Sequence, residues 1–160
     1  MGDILTRAFV WVAILGYAVA FVLQVYRVRA GLARVAWTLG AAAFVVHVLC
    51  AFHYFHGWSH AAAFAETARQ TKELTGFDTG SGLYLNYVFL VVWVVDAVWW
   101  WRTGDDAYTG RAGWISAVLH TFFVFMIVNG AIVFGKGPVR WYGAALVAMM
   151  VAAYAKGSRR

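Results

Sequence analysis

Five long apolar segments constrain the fold of this 160-residue chain more than any other feature. They cover residues 8–26, 35–56, 83–101, 113–134 and 139–155. A helix needs about 20 predominantly apolar residues to cross the roughly 30 Å hydrocarbon core of a bilayer, and each segment approaches that length. We therefore predict a single all-α domain over 1–160, a polytopic integral membrane bundle with about five transmembrane helices and one short outer surface helix.

Charge predicts the orientation of these helices. The chain is 63% hydrophobic and 12% charged, which excludes an ordinary soluble domain. With the N-terminus outside, eight of the 13 Lys and Arg residues lie on the inner side and five outside. Because basic loops are retained in the cytoplasm, we predict an outer N-terminus and a cytoplasmic C-terminus in a bacterial-type inner membrane. The net charge of +6 then indicates lipid headgroups as partners, and not nucleic acid.

The only sizeable loop, residues 57–82, is predicted on the outer side. Its first part contains good helix formers and ends at Gly76, which predicts a short surface helix over 61–74. Three glycines within 76–82 then predict a turn or a flexible loop. This loop could cap a site at the outer end of the bundle.

Three histidines near the outer end of the second segment form the first candidate site. His53, His56 and His60 are spaced i, i+3 and i+7, so a continuous helix keeps them within an arc of about 60°. Three imidazoles suit Zn or Cu. If Gly57 instead ends the helix, His60 is a loop residue and Ser59 becomes a natural N-cap. Additional ligands could come from a further set of polar side chains: Glu66, Asp78 and Cys50.

The alternative is that these histidines are interfacial and hydrogen-bond to headgroups, water or loop carbonyls. Other polar residues are predicted at the same depth and could line one outward-facing pocket with them: Tyr84, Asn86, Tyr87 and Asn129. The two asparagines have an equally simple role as interhelical hydrogen-bond partners, which membrane bundles commonly use.

A second polar layer is predicted nearer the inner side. Asp96 and His120 lie at similar depth on neighbouring antiparallel helices, where a pair would hold the helices in register or relay protons. His47 and His120 could also bind a b-type haem between spans. Straight helices would separate these two histidines by about 7 Å in depth, which counts against the haem pair unless the helices tilt.

These patterns predict a membrane-embedded protein that binds a metal (Cu, Zn or Fe) or b-type haem at a histidine-rich outer site, with a redox or electron-transfer role. Two other functions remain open. One is a non-catalytic accessory subunit of a larger membrane complex or a homo-oligomer, and the other is a small transporter for metal ions or protons.

Overall fold

The computed structural model describes residues 1–135, 137 and 139–157, and within them it is helical with no strands. Six α-helices follow one another, and two of them end in a π-helical turn, Phe52–His56 after α2 and Val128–Val133 after α5. The α-helices are α1 (Gly2–Val25), α2 (Ala30–Ala51), α3 (His60–Thr75), α4 (Gly82–Thr109), α5 (Gly113–Ile127) and α6 (Val139–Gly157). The predicted all-α membrane bundle is confirmed.

Within the described part of the chain, four helical segments are long and apolar enough to cross a membrane: Gly2–Val25, Ala30–His56, Gly82–Thr109 and Gly113–Val133. The protein is therefore described below as an integral membrane protein. α6 occupies the fifth predicted segment, but it has only 19 residues and carries Arg140 and Lys156 near its ends. That α6 crosses the membrane stays a prediction. We call the end of the bundle that carries α3 the outer end, and the opposite end the inner end.

α1 and α2 pack closely because small residues face each other. A Cβ atom placed on Gly16 would lie 2.8 Å from the Gly40 Cα and 2.9 Å from the Ala36 carbonyl oxygen. Such small residues let the backbones of two membrane helices approach, which brings their dispersion contacts into range. The α1–α2 hairpin is therefore the best-fitted pair in the bundle.

An aromatic layer fills the middle of the bundle between α1, α2, α4 and α5. Trp37 stacks on Phe123 with ring centroids 5.0 Å apart, and Trp93 meets the same Phe123 ring edge-on at 5.0 Å. Tyr17 packs against both tryptophans and is fully buried. We call Tyr17, Trp37, Trp93 and Phe123 the aromatic block. Rings of this size bury large apolar areas and dominate core packing.

The outer surface helix is also confirmed, with both of its predicted ends. The Ser59 hydroxyl accepts a hydrogen bond from the Ala62 N–H at 3.2 Å and caps α3. Gly76 ends the helix with φ 82°, a left-handed conformation that favours glycine. The following turn packs tightly on α3, because a Cβ on Gly80 would lie 2.5 Å from the Phe64 carbonyl oxygen.

The inner end of α4 reverses direction, which the sequence did not predict. Gly104 has φ 81° and ψ 173° inside the helix. Beyond it the chain folds back, and the Tyr108 hydroxyl reaches Asp96 at 2.5 Å. A straight helix would separate two residues twelve positions apart by about 18 Å. The reversal therefore brings the end of α4 onto its own inner turns.

Candidate functional site

The structure does not place the three outer histidines on one helical face. Gly57 has φ 53° and ends the helix, and the preceding turn, which contains His53 and His56, is a π-helix. His60 is the first residue of α3. The prediction of one continuous stripe is therefore wrong, because it required an α-helix through Gly57. The other possibility, a helix end at Gly57 with Ser59 as N-cap, is the one that forms.

Each of these histidines has its own surroundings. His53 packs against the rings of Tyr54 and Trp58. His60 lies 3.1 Å from the Tyr87 hydroxyl through Nδ1. Among the residues that the structure describes, no three His, Cys, Asp or Glu side chains form a group that could hold a metal ion.

The proposed additional ligands are mostly engaged elsewhere. Asp78 accepts a hydrogen bond from the Lys72 ammonium at 2.8 Å. Glu66 binds Arg69 through both carboxylate oxygens, at 2.6 and 2.9 Å. Cys50 is a partly buried free thiol. The histidine cluster read from the sequence is thus dispersed over three environments.

One open cleft does lie beside this region, between the π-helical turn and α3. It has a volume of about 680 Å³, and its lining combines aromatic, basic, acidic and amide side chains: Phe55, His56, Ala62, Ala65, Glu66, Arg69 and Gln70. Hydrogen bonds from Arg69 and Gln70 lower the pKa of Glu66 to about 2, and the positive charge of Arg69 and the His56 imidazole act in the same direction. His56 and Glu66 therefore share one cleft.

The predicted outer polar layer is assembled only in part. The His60 ring contacts the rings of Tyr84 and Tyr87 at 5.8 and 5.9 Å. The Asn129 side chain donates to the Phe125 carbonyl of its own helix at 3.1 Å, so it does not form an interhelical hydrogen bond. Asn86 is exposed, and neither asparagine hydrogen-bonds to these rings among the described residues.

At the inner end the expected Asp96–His120 pair is replaced by another. The Asp96 carboxylate accepts hydrogen bonds from the Tyr108 hydroxyl at 2.5 Å and from Arg111 Nη1 at 2.7 Å. The Asp96 and Arg111 side chains are only 8% and 3% exposed. A guanidinium compensates a buried carboxylate better than a neutral imidazole does. The prediction of the His120 pair was wrong because the reversal at Gly104 delivers this closer cation.

Arg111 is thus the partner of Asp96 that the sequence did not predict, since it was counted only among the basic loop residues. The signal that pointed to it was an aspartate in an apolar span, followed by a glycine and an arginine beyond the span's end. Its guanidinium also donates to the Ser116 hydroxyl at 2.8 Å. It lies 4.1 Å from the centroid of the Tyr108 ring. The Trp100 ring stacks on Tyr108 with centroids 3.8 Å apart and an interplanar angle of 4°.

The two interior histidines lie too far apart to bind one haem. His120 Nδ1 is 3.3 Å from the Tyr17 hydroxyl, and its ring contacts Trp37. His47 Nδ1 donates to the Thr6 carbonyl at 2.8 Å, because a carbonyl can only accept. Ten residues of α2 separate His47 from the level of Trp37, which corresponds to about 15 Å. The predicted haem pair is therefore not brought together.

The fold defines the chain as an all-α integral membrane protein. No protein-family model, no curated protein and no solved structure matches it.

Proposed function

We propose that this protein is a non-catalytic helical subunit of a larger membrane assembly, held in a bacterial-type inner membrane with its N-terminus outside and its C-terminus in the cytoplasm. The main observation that supports this proposal is the placement of polar side chains. Asp96, Arg111 and His47 bind other groups of this chain, whereas the Thr121 hydroxyl, on an exposed face of α5, makes no hydrogen bond among the described residues.

The interior supports a structural role for its polar groups. Asp96 and Arg111 form a buried ion pair, and His47 is held by a backbone carbonyl. Between the inner pair and His47 lies the aromatic block, which has no charged member. A transporter for protons or metal ions would need a continuous polar path through that layer, so the transport alternative has less support.

The exterior of α5 supports contact with another helix. Five exposed residues of this helix fall on one face within an arc of about 100°: Trp114, Ala117, Val118, Thr121 and Phe125. Ala117 and Thr121 are one turn apart, and small residues at this spacing allow a second helix to approach closely. We call this surface the α5 face.

Thr121 gives the α5 face its polarity. Eight threonines lie in described helices, and seven of them donate their hydroxyl to a carbonyl one turn earlier: Thr6, Thr38, Thr67, Thr71, Thr75, Thr103 and Thr109. The Thr121 hydroxyl makes no hydrogen bond among the described residues. Lipid tails offer no acceptor to a hydroxyl. The occupant that fits is a transmembrane helix of a partner subunit with an acceptor at this depth.

The test is the native mass of the protein after mild extraction from the membrane in which it is naturally made. We expect wild type to migrate with partner subunits and the double variant Ala117→Leu/Thr121→Leu to migrate as a monomer. Ala42→Leu makes the same change as Ala117→Leu at an exposed position of α2 and serves as the matched control. A folded wild-type monomer under these conditions would remove the proposal, and a homo-oligomer would identify a second copy as the partner.

A metal site at the outer cleft is the second candidate, because His56 and Glu66 line the same cavity. Elemental analysis and an optical spectrum of the purified protein test it together. Stoichiometric Cu, Zn or Fe that is lost in His56→Ala, but kept in the neighbouring His53→Ala, would support the cleft. A Soret band would support haem. If the protein contains neither metal nor haem, also after reconstitution with each metal, the accessory-subunit proposal is the one that remains.

A further inference from the structure

The strongest remaining feature of the molecule is the fold-back at the inner end. We call residues 105–111 the inner latch. Its direction depends on Gly104, whose φ of 81° and ψ of 173° belong to a region that only glycine adopts readily. No atom lies within 4 Å of the position that a Cβ would occupy there. Glycine is therefore required by the backbone conformation and not by packing, as expected of a hinge.

Polar links and one aromatic stack hold the latch against the bundle: Tyr108 is fully buried and stacks on Trp100 with ring centroids 3.8 Å apart. Asp105 accepts a hydrogen bond from the Trp100 indole at 2.9 Å and lies 3.4 Å from Arg34. The other two links, from Tyr108 and Arg111, converge on Asp96. One buried carboxylate thus accepts the hydrogen bonds of both Tyr108 and Arg111.

Polar groups continue behind the latch. Ser116, which accepts from Arg111, lies one turn of α5 before His120, and His120 meets Tyr17. Beyond Tyr17 the other rings of the aromatic block, Trp37 and Phe123, close the interior. The latch therefore lies over the inner end of a row of polar side chains that ends halfway through the bundle.

The polar links of the latch separate at a lower cost than an apolar contact of the same area would. Burying an ion pair carries a desolvation penalty that its attraction only partly offsets. When the latch swings away, Asp96 and Arg111 both become hydrated, so that penalty is recovered and neither charge is left in hydrocarbon. The pair is well suited to a contact that must break and re-form.

We propose that the inner latch is a hinged cover, closed in this structure, whose release from Asp96 admits water from the inner side as far as the Tyr17–His120 pair. This goes beyond the proposed accessory role and does not depend on a partner, because the hinge and the links all lie within the chain.

The test uses a single reporter cysteine, Ser116→Cys, in a Cys50→Ala background of the full chain in inside-out vesicles. A small charged thiol reagent is added to the exposed inner side. We expect slow but measurable modification of the closed protein. Gly104→Ala, which strains the closed hinge, should accelerate the reaction about tenfold or more. Tyr108→Phe, which removes one link to Asp96, should accelerate it by a smaller factor.

Gly113→Ala is the matched control, because it lies at the same end and a Cβ there meets nothing within 4 Å. This variant should react at the same rate as the protein that carries only Cys50→Ala and the reporter Ser116→Cys. Circular dichroism and a melting curve establish that each variant is folded. Equal rates in folded Gly104→Ala and in the control would overturn the proposal. Complete protection of the reporter protein over the whole time course would also overturn it, since the latch would then not open.

Discussion

Removal of the Asp96 carboxylate should destabilise the protein strongly, by an amount that follows from its burial. Asp96→Leu deletes the acceptor of two hydrogen bonds and leaves Arg111, whose side chain is 3% exposed, with only the Ser116 hydroxyl. Breaking a buried ion pair by removing one partner costs about 3–5 kcal/mol, because the remaining charge stays desolvated. We expect a loss of this size in the free energy of unfolding.

The matched variant removes the whole polar group at once. In Asp96→Leu/Tyr108→Phe/Arg111→Met no buried charge is left unpaired, and we expect the free energy of unfolding to return to within about 1–2 kcal/mol of wild type. Reversible unfolding in mixed lipid and detergent, followed by tryptophan fluorescence, measures all three proteins. A loss below about 1 kcal/mol in the single variant would contradict a desolvated pair. A triple variant as unstable as the single one would show that stranded charge is not the cause.

Three further outcomes follow from the geometry. Gly16→Ala should lower the free energy of unfolding by about 1–3 kcal/mol, because the added methyl meets the backbone of α2 at Gly40 and Ala36, while Gly130→Ala, with open space around it, should be nearly neutral in the same unfolding assay. Ser59→Ala should weaken α3 by about 1 kcal/mol, seen as faster amide hydrogen exchange in its first turn with exchange in α2 unchanged. Glu66 has a pKa of about 2 in the folded protein against about 4.3 unfolded, so the stability that its ionised carboxylate gives to α3 is complete above pH 4.3 and is lost as the pH falls toward 2. Amide exchange in α3 should therefore accelerate over that range in wild type but much less in Glu66→Gln. The same profile in both proteins would assign the change to other groups.

The helices could be predicted because the signals that set them are local. An apolar run of sufficient length requires a helix in hydrocarbon whatever its neighbours are, since each backbone group must be bonded within the segment. The ends of α3 followed in the same way from Ser59 and Gly76, which act on their own first and last turns. Local chemistry was therefore sufficient to predict the helices, including the surface helix α3.

The side-chain sites depended on properties that the sequence pattern does not contain. The histidine stripe assumed α-helical geometry through Gly57, whereas the chain has a π-turn and then a left-handed glycine. The depth count for Asp96 assumed a straight α4 and paired it with His120. One residue, Gly104, reverses the chain and supplies Arg111 instead. Single backbone conformations of this kind decide which side chains meet, and neither hydropathy nor spacing reports them.

The aromatic block separates the polar groups of this protein into two sets that cannot share one site. On the inner side Asp96 and His120 lie behind the latch and Arg111 belongs to it, and on the outer side His56 and Glu66 line an open cleft. Chemistry that needs both sets, such as proton or electron transfer across the membrane, would have to cross the tryptophans of the block. Any ligand or partner recognition is therefore expected to belong to one end of the bundle or to its α5 face, and a variant at one end should leave binding at the other unchanged.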